Sequence, residues 1–257
     1  MKLVLFDVDG TLTPARLSIN NNMTHCLERL KKIEDIDVGF VGGSDLSKQK
    51  EQLGEDKFDL FDWRFSENGL TGYHKQKLIH ERSFVQAMTE LHFKQLINTC
   101  LFVLSGLECP KKRGTFIEYR NGMINISPIG RACNQSEREE FEQYDKIHHV
   151  RQHMIHQIKE IWNDYLVKYE ISNIPELNFS IGGQISVDIF PKGWDKTYCL
   201  SFVEGLYDEI HFFGDKTDSG GNDYEIYNDS RVIGHKVSCP EDTIQILEKL
   251  FFHLSQD

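Results

Sequence analysis

Two aspartates stand directly after a short apolar run near the start of the chain. Asp7 and Asp9 follow the segment Leu3 to Phe6, whose composition predicts a buried strand that ends at a loop. Asp7 can attack phosphorus as a carboxylate, because at its ordinary pKa it is ionised at neutral pH and needs no base to activate it. Asp9 can donate a proton to the leaving oxygen and accept one from the next nucleophile. The spacing of the two carboxylates therefore indicates phosphoryl transfer.

The residues after the second aspartate suit a bound phosphate. Gly10 allows a tight turn that points backbone amides at a phosphate, and Thr11 adds a hydroxyl donor. Two carboxylates so close would repel each other and the substrate, so the motif implies a cation, and oxygen ligands favour Mg²⁺. A calcium loop or a surface turn would also fit these residues, since two aspartates separated by one residue are common.

Four further residues could complete such a site. Ser44 follows two glycines at the end of a second apolar segment, where its hydroxyl and amide could hold a phosphoryl oxygen, although an ordinary turn is the usual role of such a sequence. Lys196 could neutralise phosphate charge, although a lysine that opens a helix is usually just solvated. Asp215 and Asp223 lie in a glycine-rich stretch after a third apolar segment and could bind a metal beside Asp7.

Basic residues are in excess between positions 111 and 138, inside a chain whose net charge is −11. Arg120, Arg131 and Arg138 are spaced through apolar sequence with glycine and proline rather than clustered in a tail. The rigid guanidinium fork grips a phosphate in one orientation better than lysine does. We therefore interpret this stretch as a phosphate-binding region, with a solvated charged face as the alternative.

Histidines between positions 148 and 156 suggest a competing metal site. His149, His153 and His156 fall at helical spacings of four and three residues, so their rings could converge on one helix face and bind zinc. The neighbouring residues are polar or basic, and no cysteine or carboxylate stands at the right spacing to complete the site. We favour a polar helix face.

The first and last parts of the chain predict one parallel sheet. In residues 1 to 81 and 190 to 257, short apolar segments alternate with helical patterns, as in Val38 to Val41 and Ile210 to Phe213. This alternation is typical of an α/β fold, whose ligand sites lie at the carboxyl ends of the strands. Asp7, Ser44 and Asp215 are all predicted at such ends.

Residues 82 to 189 have a different character and are interpreted as an inserted domain. A hairpin is predicted about Asn121-Gly122. Ser136 and Glu139 have capping-box spacing, which predicts the start of a helix that continues past Val150. Phe179 to Phe190 predicts a long strand interrupted by two glycines, with Ser186 and Asp188 on one face and Val187 and Ile189 on the other. These elements predict an antiparallel sheet with helices on one face.

Composition narrows the class of protein. The acidic balance argues against a nucleic-acid or anionic-membrane partner. No segment approaches the apolar length needed to span a bilayer, and the short apolar start is far from a secretory signal. The six cysteines form no C-x-x-C pair and are interpreted as reduced thiols. We expect a cytoplasmic protein.

Several segments resemble the haloacid dehalogenase (HAD) superfamily of phosphotransferases, and within it the eukaryotic phosphomannomutase family. The resemblance covers nearly the whole chain. It is specific in Phe6 to Thr13, Lys112 to Glu118, Arg120 to Met123, Ser127 to Arg131, Ser180 to Ser186, Phe213 to Thr217 and Gly220 to Asp223. It implies an α/β fold: a Rossmann-like HAD core with a parallel sheet (1–81 and 190–257) plus an inserted, substrate-binding α/β cap domain with an antiparallel sheet (82–189). It also implies a homodimer formed through the caps.

The resemblance also implies residue roles. Asp7 would be the nucleophile and Asp9 the acid/base, with Ser44 and Lys196 supplying the other catalytic motifs. The metal, Mg²⁺, would be held by Asp7, the Asp9 carbonyl and Asp215, with Asp223 close by. The residues implied to bind the phosphosugar substrate are Arg16, Arg120, Asn121, Arg131, Arg138, Ser186 and Asp188.

The activity implied by the resemblance is interconversion of mannose 6-phosphate and mannose 1-phosphate, which supplies GDP-mannose synthesis. An aspartyl phosphate on Asp7 would be primed by a hexose 1,6-bisphosphate as activator. A sugar-phosphate phosphatase on the same core is the alternative enzyme, since water is the rival acceptor of the phosphoryl group. A non-catalytic phosphosugar-binding regulator is disfavoured, because binding alone gives no reason to place Asp7 beside Asp9.

Overall fold

The computed structural model describes residues 1–15 and 17–252. The chain divides into two compact units, Met1–Glu81 with Gly193–Asp257, and Arg82–Lys192. We call them the core unit and the inserted unit; their roles as catalytic core and substrate-binding cap stay predictions at this point. Within the described residues, no helix is both long and apolar enough to cross a membrane.

The strands and helices alternate along the core unit and cluster differently in the inserted unit. The strands are β1 (Lys2–Phe6), β2 (Ile36–Val41), β3 (Trp63–Ser66), β4 (Thr71–His74), β5 (Lys77–Glu81), β6 (Ile117–Arg120), β7 (Met123–Ile126), β8 (Leu177–Gly182), β9 (Ser186–Pro191), β10 (Glu209–Gly214) and β11 (Ile233–Lys236). The α-helices are α1 (Asn21–Leu30), α2 (Leu46–Leu53), α3 (Phe84–Gly106), α4 (Gln135–His148), α5 (Val150–Lys168), α6 (Tyr224–Tyr227) and α7 (Pro240–Leu247).

The core unit is built on one sheet in the order β11-β10-β1-β2-β3-β4-β5. The pairs from β11 to β3 are parallel, which confirms the predicted fold class, and β4 and β5 extend the sheet as antiparallel strands. Phe6 of β1 is in register with Phe40 of β2 on one side and Phe213 of β10 on the other. The loops after these three strands therefore begin at the same edge of the sheet.

The strands stay in place because both faces of the sheet are buried. One apolar cluster joins Val4, Phe6 and Phe213 to the buried face of α1, and a second joins Leu3, Leu5 and Phe212 to the opposite side. Burial of apolar area at about 25 cal/mol per Å² is the main favourable term in such a core. The rigid sheet is what fixes the positions of the loops at its edge.

The inserted unit contains an antiparallel sheet in the order β6-β7-β9-β8, and α3 and α5 both contact β9. The hairpin predicted about Asn121-Gly122 is confirmed as the β6–β7 pair. The long strand predicted from Phe179 to Phe190 is wrong: its two halves, β8 and β9, pair with each other as a hairpin. Gly183, with φ of 53°, allows the reversal that an L side chain would resist.

The helices of the inserted unit also differ from the prediction. The capping box at the start of α4 is formed by Asn134 and Glu137, not by Ser136 and Glu139. The expected single helix ends at His148, and α5 begins at Val150, because His149 between them adopts a left-handed conformation with φ of 51°. Two helices therefore meet at a corner where one continuous helix was predicted.

Candidate active site

The loop after β1 places Asp7 at the carboxyl edge of the core sheet. The Asp7 amide donates to the Phe213 carbonyl (2.8 Å), which continues the β1–β10 ladder by one residue. The chain then folds back sharply, because the amides of Leu12 and Thr13 both donate to the Val8 carbonyl (3.0 Å each). Gly10 has φ of 82°, and a Cβ there would clash with the Asp215 carboxylate. Glycine at this position is what lets the two carboxylate-bearing loops approach each other.

A buried ion-pair cluster joins the late part of the chain to Asp7. The Lys196 ammonium contacts Oδ1 of Asp7 and lies 2.5 Å from Oδ1 of Asp223. Lys196 and Asp223 are completely buried, and Asp7 is only 4% exposed. The Lys216 amide donates to the second Asp223 oxygen (3.0 Å). The structure thus brings Asp7, Lys196 and Asp223 into one charged cluster, although Asp7 and Asp223 are 216 positions apart in the sequence. This agrees with the predicted placement of the three residues.

Burial sets the electrostatics of this cluster. It is the largest influence on Asp7 and raises the pKa of that carboxyl, whereas the adjacent ammonium opposes the shift. Burial acts against the charged form of Lys196 too, but the two carboxylates outweigh it and raise the pKa of the ammonium. Burial also raises the pKa of Asp215. The lysine therefore stays protonated at neutral pH.

The carboxylates fit a divalent cation. Asp7, Asp215 and Asp223 each offer a carboxylate oxygen, and these oxygens lie within 4.8 Å of one another. Among the residues that the structure describes, no other group of three or more Asp, Glu, His or Cys side chains brings its ligand atoms this close together. Together with Lys196 they carry two net negative charges. The buried Oδ1 of Asp215 has no hydrogen-bond partner among the residues that the structure describes. Closely spaced carboxylate oxygens with an unsatisfied buried acceptor suit Mg²⁺.

Asp9 is held by a residue that the sequence did not single out. Gln52 of α2 donates from Nε2 to Oδ1 of Asp9 (2.8 Å), and its own backbone carbonyl accepts from the Ile19 amide (2.9 Å). Gln52 is 6% exposed. Because a polar glutamine in a polar helix predicts a solvent-facing position, no local signal could have identified it.

Ser44 lies in the loop three residues after β2, beside the edge that carries Asp7. This loop is fixed by backbone hydrogen bonds: the Gly42 amide donates to the Phe65 carbonyl (3.1 Å), and the Ser44 carbonyl accepts from the Glu67 amide (3.0 Å). Thr11 is fully buried, and its hydroxyl has no partner among the described residues. An unsatisfied buried hydroxyl is a costly feature that a phosphoryl oxygen would relieve.

The inserted unit carries a row of polar side chains across its sheet. Glu118 of β6 is in register with Asn125 of β7, which is in register with Asp188 of β9. Asn125 donates from Nδ2 to Oδ1 of Asp188 (2.6 Å). Val187 and Ile189, the neighbours of Asp188, are completely buried, so the polar row lies on the face opposite the apolar one.

Two of the predicted arginines join this row. Glu118 bridges them, with Arg120 Nε at 3.0 Å and Arg131 Nε at the other carboxylate oxygen. Arg131 also donates from Nη1 to Oδ1 of Asn125 (2.7 Å). Burial raises the pKa of Asp188, while the Asn125 amide and both arginines oppose that shift. Glu118 and Asn125 were not predicted; their place in the register beside Asp188 is the signal that could have found them.

Arg138 lies in the first turns of α4 and donates to two backbone carbonyls, those of Arg131 (2.8 Å) and Cys133 (3.3 Å). It forms no salt bridge within the part of the chain that the structure describes. Ser186 is buried at the start of β9. The Asn121 side chain donates to the Arg82 carbonyl (2.9 Å) and thereby holds the hairpin turn. The predicted binding residue Arg16 lies outside the described residues.

The histidines do not form the alternative metal site. His149 occupies the corner between α4 and α5, so it is not in one helix with His153 and His156. His148 stacks on Tyr144, and His156 pairs with Glu160 at 3.3 Å. These exposed contacts agree with the polar helix face that we favoured from the sequence.

Sequence comparisons relate the chain to one family of known proteins. The model of the eukaryotic phosphomannomutase family matches residues 23–253. The chain is 54% identical over 253 residues to a phosphomannomutase of Schizosaccharomyces pombe and 53% identical over 250 residues to one of Saccharomyces cerevisiae, and each alignment covers 97% of this chain and 94% of the relative. A phosphomannomutase of Galdieria sulphuraria is 53% identical over 249 residues.

Solved structures share the fold at low sequence identity. A trehalose-6-phosphate phosphatase of Aspergillus fumigatus matches with a TM-score of 0.59 at 14% identity, over 97% of this chain and 92% of that one. An IMP-nucleotidase of Plasmodium falciparum also gives a TM-score of 0.59, at 16% identity, over 98% of this chain and 68% of that one. These likenesses confirm the predicted α/β fold class.

Proposed function

The chain belongs to the eukaryotic phosphomannomutase family, and from this premise we propose that it interconverts mannose 6-phosphate and mannose 1-phosphate through a phosphoryl group carried on Asp7. The activity is that of an isomerase. The observation that carries the proposal is the buried cluster of Asp7, Lys196 and Asp223 beside Asp215. A buried, oriented carboxylate next to an ammonium is suited to attack on phosphorus and to stabilisation of the charge that develops.

In the first half-reaction, a hexose 1,6-bisphosphate phosphorylates Asp7. A carboxylate oxygen of Asp7 forms a bond to phosphorus while the bond from phosphorus to the sugar oxygen breaks. Asp9 donates a proton to that leaving oxygen, which becomes a hydroxyl. Lys196, protonated and fixed against Asp7, offsets negative charge as the transfer proceeds.

In the second half-reaction, a sugar monophosphate receives the group. Its free hydroxyl attacks the phosphorus on Asp7, Asp9 accepts the hydroxyl proton, and the bond from Asp7 to phosphorus breaks. The resulting bisphosphate then returns its other phosphate to Asp7, which leaves the isomer of the starting monophosphate. Asp9 acts as acid in one direction and base in the other, and the Gln52 amide keeps its carboxylate oriented in both.

We assign Asp7, the Asp9 carbonyl and Asp215 as ligands of Mg²⁺, with Asp223 close by. The support is the oxygen-only donor set, its two net negative charges with Lys196 included, and the unsatisfied Oδ1 of Asp215. When bound, Mg²⁺ neutralises charge on the transferring phosphoryl group. We assign Ser44, which lies in the neighbouring loop after β2, to hold a phosphoryl oxygen.

We assign the phosphosugar to the polar row of the inserted unit. Arg138 has no acidic partner among the described residues and would bind the distal phosphate, with Arg120 and Arg131 adding positive charge. Asp188 would accept hydrogen bonds from sugar hydroxyls through its carboxylate, and the Ser186 hydroxyl could donate or accept one. Arg16 and Asn121 are kept as binding residues on the resemblance alone.

Assembly and cellular location are also part of the proposed function. We propose a homodimer formed through the inserted unit, supported by the exposure of Phe102 (70%) and Leu101 on α3, because large apolar side chains at a surface favour protein contacts. We also propose a cytoplasmic enzyme whose mannose 1-phosphate supplies GDP-mannose synthesis.

The rival function is a sugar-phosphate phosphatase, in which water accepts the phosphoryl group from Asp7. One reaction separates the two. Purified protein with Mg²⁺ and mannose 1-phosphate should form mannose 6-phosphate slowly until a trace of hexose 1,6-bisphosphate is added, because unphosphorylated Asp7 has nothing to donate. Isomer and inorganic phosphate are measured together. Release of phosphate in proportion to substrate, with no need of activator, would favour the phosphatase.

A further inference from the structure

A buried ion pair lies at the corner between α4 and α5. Asp145, in the last turn of α4, and Arg151, in the first turn of α5, are 4% and 8% exposed. The Asp145 carboxylate accepts from the Arg151 backbone amide (2.9 Å) through one oxygen and from Arg151 Nε (2.6 Å) through the other. The left-handed His149 makes this possible, because in one continuous helix two residues six positions apart would not face each other.

The other end of the guanidinium reaches the turn between β8 and β9. Nη1 of Arg151 donates to the carbonyl of Gly183 (2.9 Å) and lies within 3.5 Å of the carbonyls of Gly182 and Ser186. These three carbonyls surround the reversal of the hairpin. One side chain therefore fixes the helix corner and the hairpin turn together, and its charge is balanced by Asp145.

We propose that Arg151 and Asp145 are positioning residues for the phosphosugar, in that they hold the β8–β9 turn at a set distance from α4. The turn leads directly into Ser186 and Asp188, and α4 carries Arg138 about two turns before Asp145. The sugar-hydroxyl ligands and the phosphate anchor thus depend on one ion pair for their mutual placement. This inference rests on the proposed function of the inserted unit.

The geometry of arginine is essential to this role. Nε and Nη1 point in different directions within one rigid plane, so the carboxylate and the carbonyls are bound at the same time. A lysine at this position has a single ammonium, which can neutralise Asp145 but cannot also reach the turn. Arg151→Lys therefore keeps the positive charge that neutralises Asp145 but removes the hydrogen bonds to the β8–β9 turn. The variant tests the positioning role without leaving Asp145 as an unpaired buried charge.

The test uses the full-length protein in four variants. Arg151→Lys keeps the charge, and the double variant Asp145→Asn with Arg151→Met removes both charges so that neither is left buried and unpaired. Ile158→Ala, in the same helix and at a completely buried position, removes apolar packing but leaves the hydrogen bonds from Arg151 to the turn in place. Arg138→Ala removes the proposed phosphate anchor. Calorimetric titration with mannose 1-phosphate, KM and kcat with activator, and thermal unfolding are measured for each.

The expected result is a rise in Kd and KM of roughly tenfold to a hundredfold for Arg151→Lys and for the double variant, with kcat at saturation within about twofold of wild type. Ile158→Ala should unfold at lower temperature but bind normally. Normal binding by Arg151→Lys while Arg138→Ala binds weakly would overturn the inference alone. An equal loss in Ile158→Ala would also overturn it, because general loosening would then explain the effect. Normal binding by Arg138→Ala would instead count against the proposed function.

Discussion

The two polar clusters of this protein are built in opposite ways. In the core unit, two carboxylates and one ammonium are buried and a third carboxylate, that of Asp215, is half-buried; the formal charge of the cluster is −2. In the inserted unit, Arg120, Arg131 and Glu118 keep about a third of their side-chain surface exposed, and the arginines with Arg138 outnumber Glu118 and Asp188. The first cluster is suited to a cation and the second to an anion.

The difference in burial matters as much as the difference in sign. Charges in a low-dielectric interior interact strongly and hold one geometry, whereas exposed charges are screened and can adjust. Reacting atoms need the first kind of setting, and a sugar that must present either of its two ends needs the second. This difference is what our proposal expects, with phosphoryl transfer in the core cluster and recognition in the inserted unit.

The largest effect is expected from Asp7→Asn. An amide cannot carry the phosphoryl group, so isomer formation and phosphate release should both fall to background. The fold should survive, because Lys196 keeps Asp223 at 2.5 Å and is not left as an unpaired buried charge. Rates are measured with Mg²⁺ and activator, and folding is checked by circular dichroism and thermal unfolding. Normal turnover in a folded Asp7→Asn protein would show that Asp7 is not the nucleophile.

The core cluster was largely predictable from the sequence. The loops that carry Asp7, Ser44 and Asp215 each follow an apolar strand, and parallel strands bring their carboxyl ends to one edge, so the sequence predicts these three residues at the same edge of the sheet. For Lys196 the sequence predicted only that it could neutralise phosphate charge, and not that it would pair with Asp7 and Asp223. Its burial arises from packing between segments 189 positions apart, which no local pattern records.

The inserted unit was less predictable, because its sequence fits two alternative structures at several places. Asn134 with Glu137 and Ser136 with Glu139 both have the capping spacing, and the first pair forms, with Glu137 also bound by Arg113 from a distant segment (2.7 Å). The strand ending at Gly182 and the one starting at Ser186 have compatible alternation, so a single strand and a hairpin looked alike. The left-handed conformation of His149 was not predicted, because the residue that usually ends a helix in this conformation is glycine or, less often, asparagine.

A smaller effect is expected when Asp9 loses its hydrogen bond from Gln52 in the core unit. Gln52→Met removes the amide donor of Gln52 to Asp9 while keeping a side chain of similar size, so the orientation of the acid/base is held less firmly. A hydrogen bond to a charged group contributes about 1.5 to 3 kcal/mol, and we expect kcat to fall by about tenfold or more with KM little changed. Steady-state rates at saturating mannose 1-phosphate and activator measure this.

Gln49 provides the matched control for this change. It lies three residues earlier in α2, is 1% exposed, and donates weakly to the Phe65 carbonyl (3.5 Å) rather than to Asp9. Gln49→Met should therefore lower the thermal midpoint about as much as Gln52→Met but leave kcat near wild type. Equal loss of kcat in both variants would mean that α2 packing, and not the bond to Asp9, controls the rate.

The smallest effect needs no substitution and tests the difference in exposure itself. Raising the ionic strength from low to physiological values shortens the screening length to about 8 Å, so the exposed arginines should attract a phosphosugar less strongly. We expect KM for mannose 1-phosphate to rise by roughly twofold to tenfold while kcat stays constant, because Lys196 is completely buried. Rates are measured at fixed free Mg²⁺, with sucrose as an uncharged control for the added solute. A fall in kcat at constant KM would reverse the assignment, since salt would then be acting on the transfer step and not on recognition.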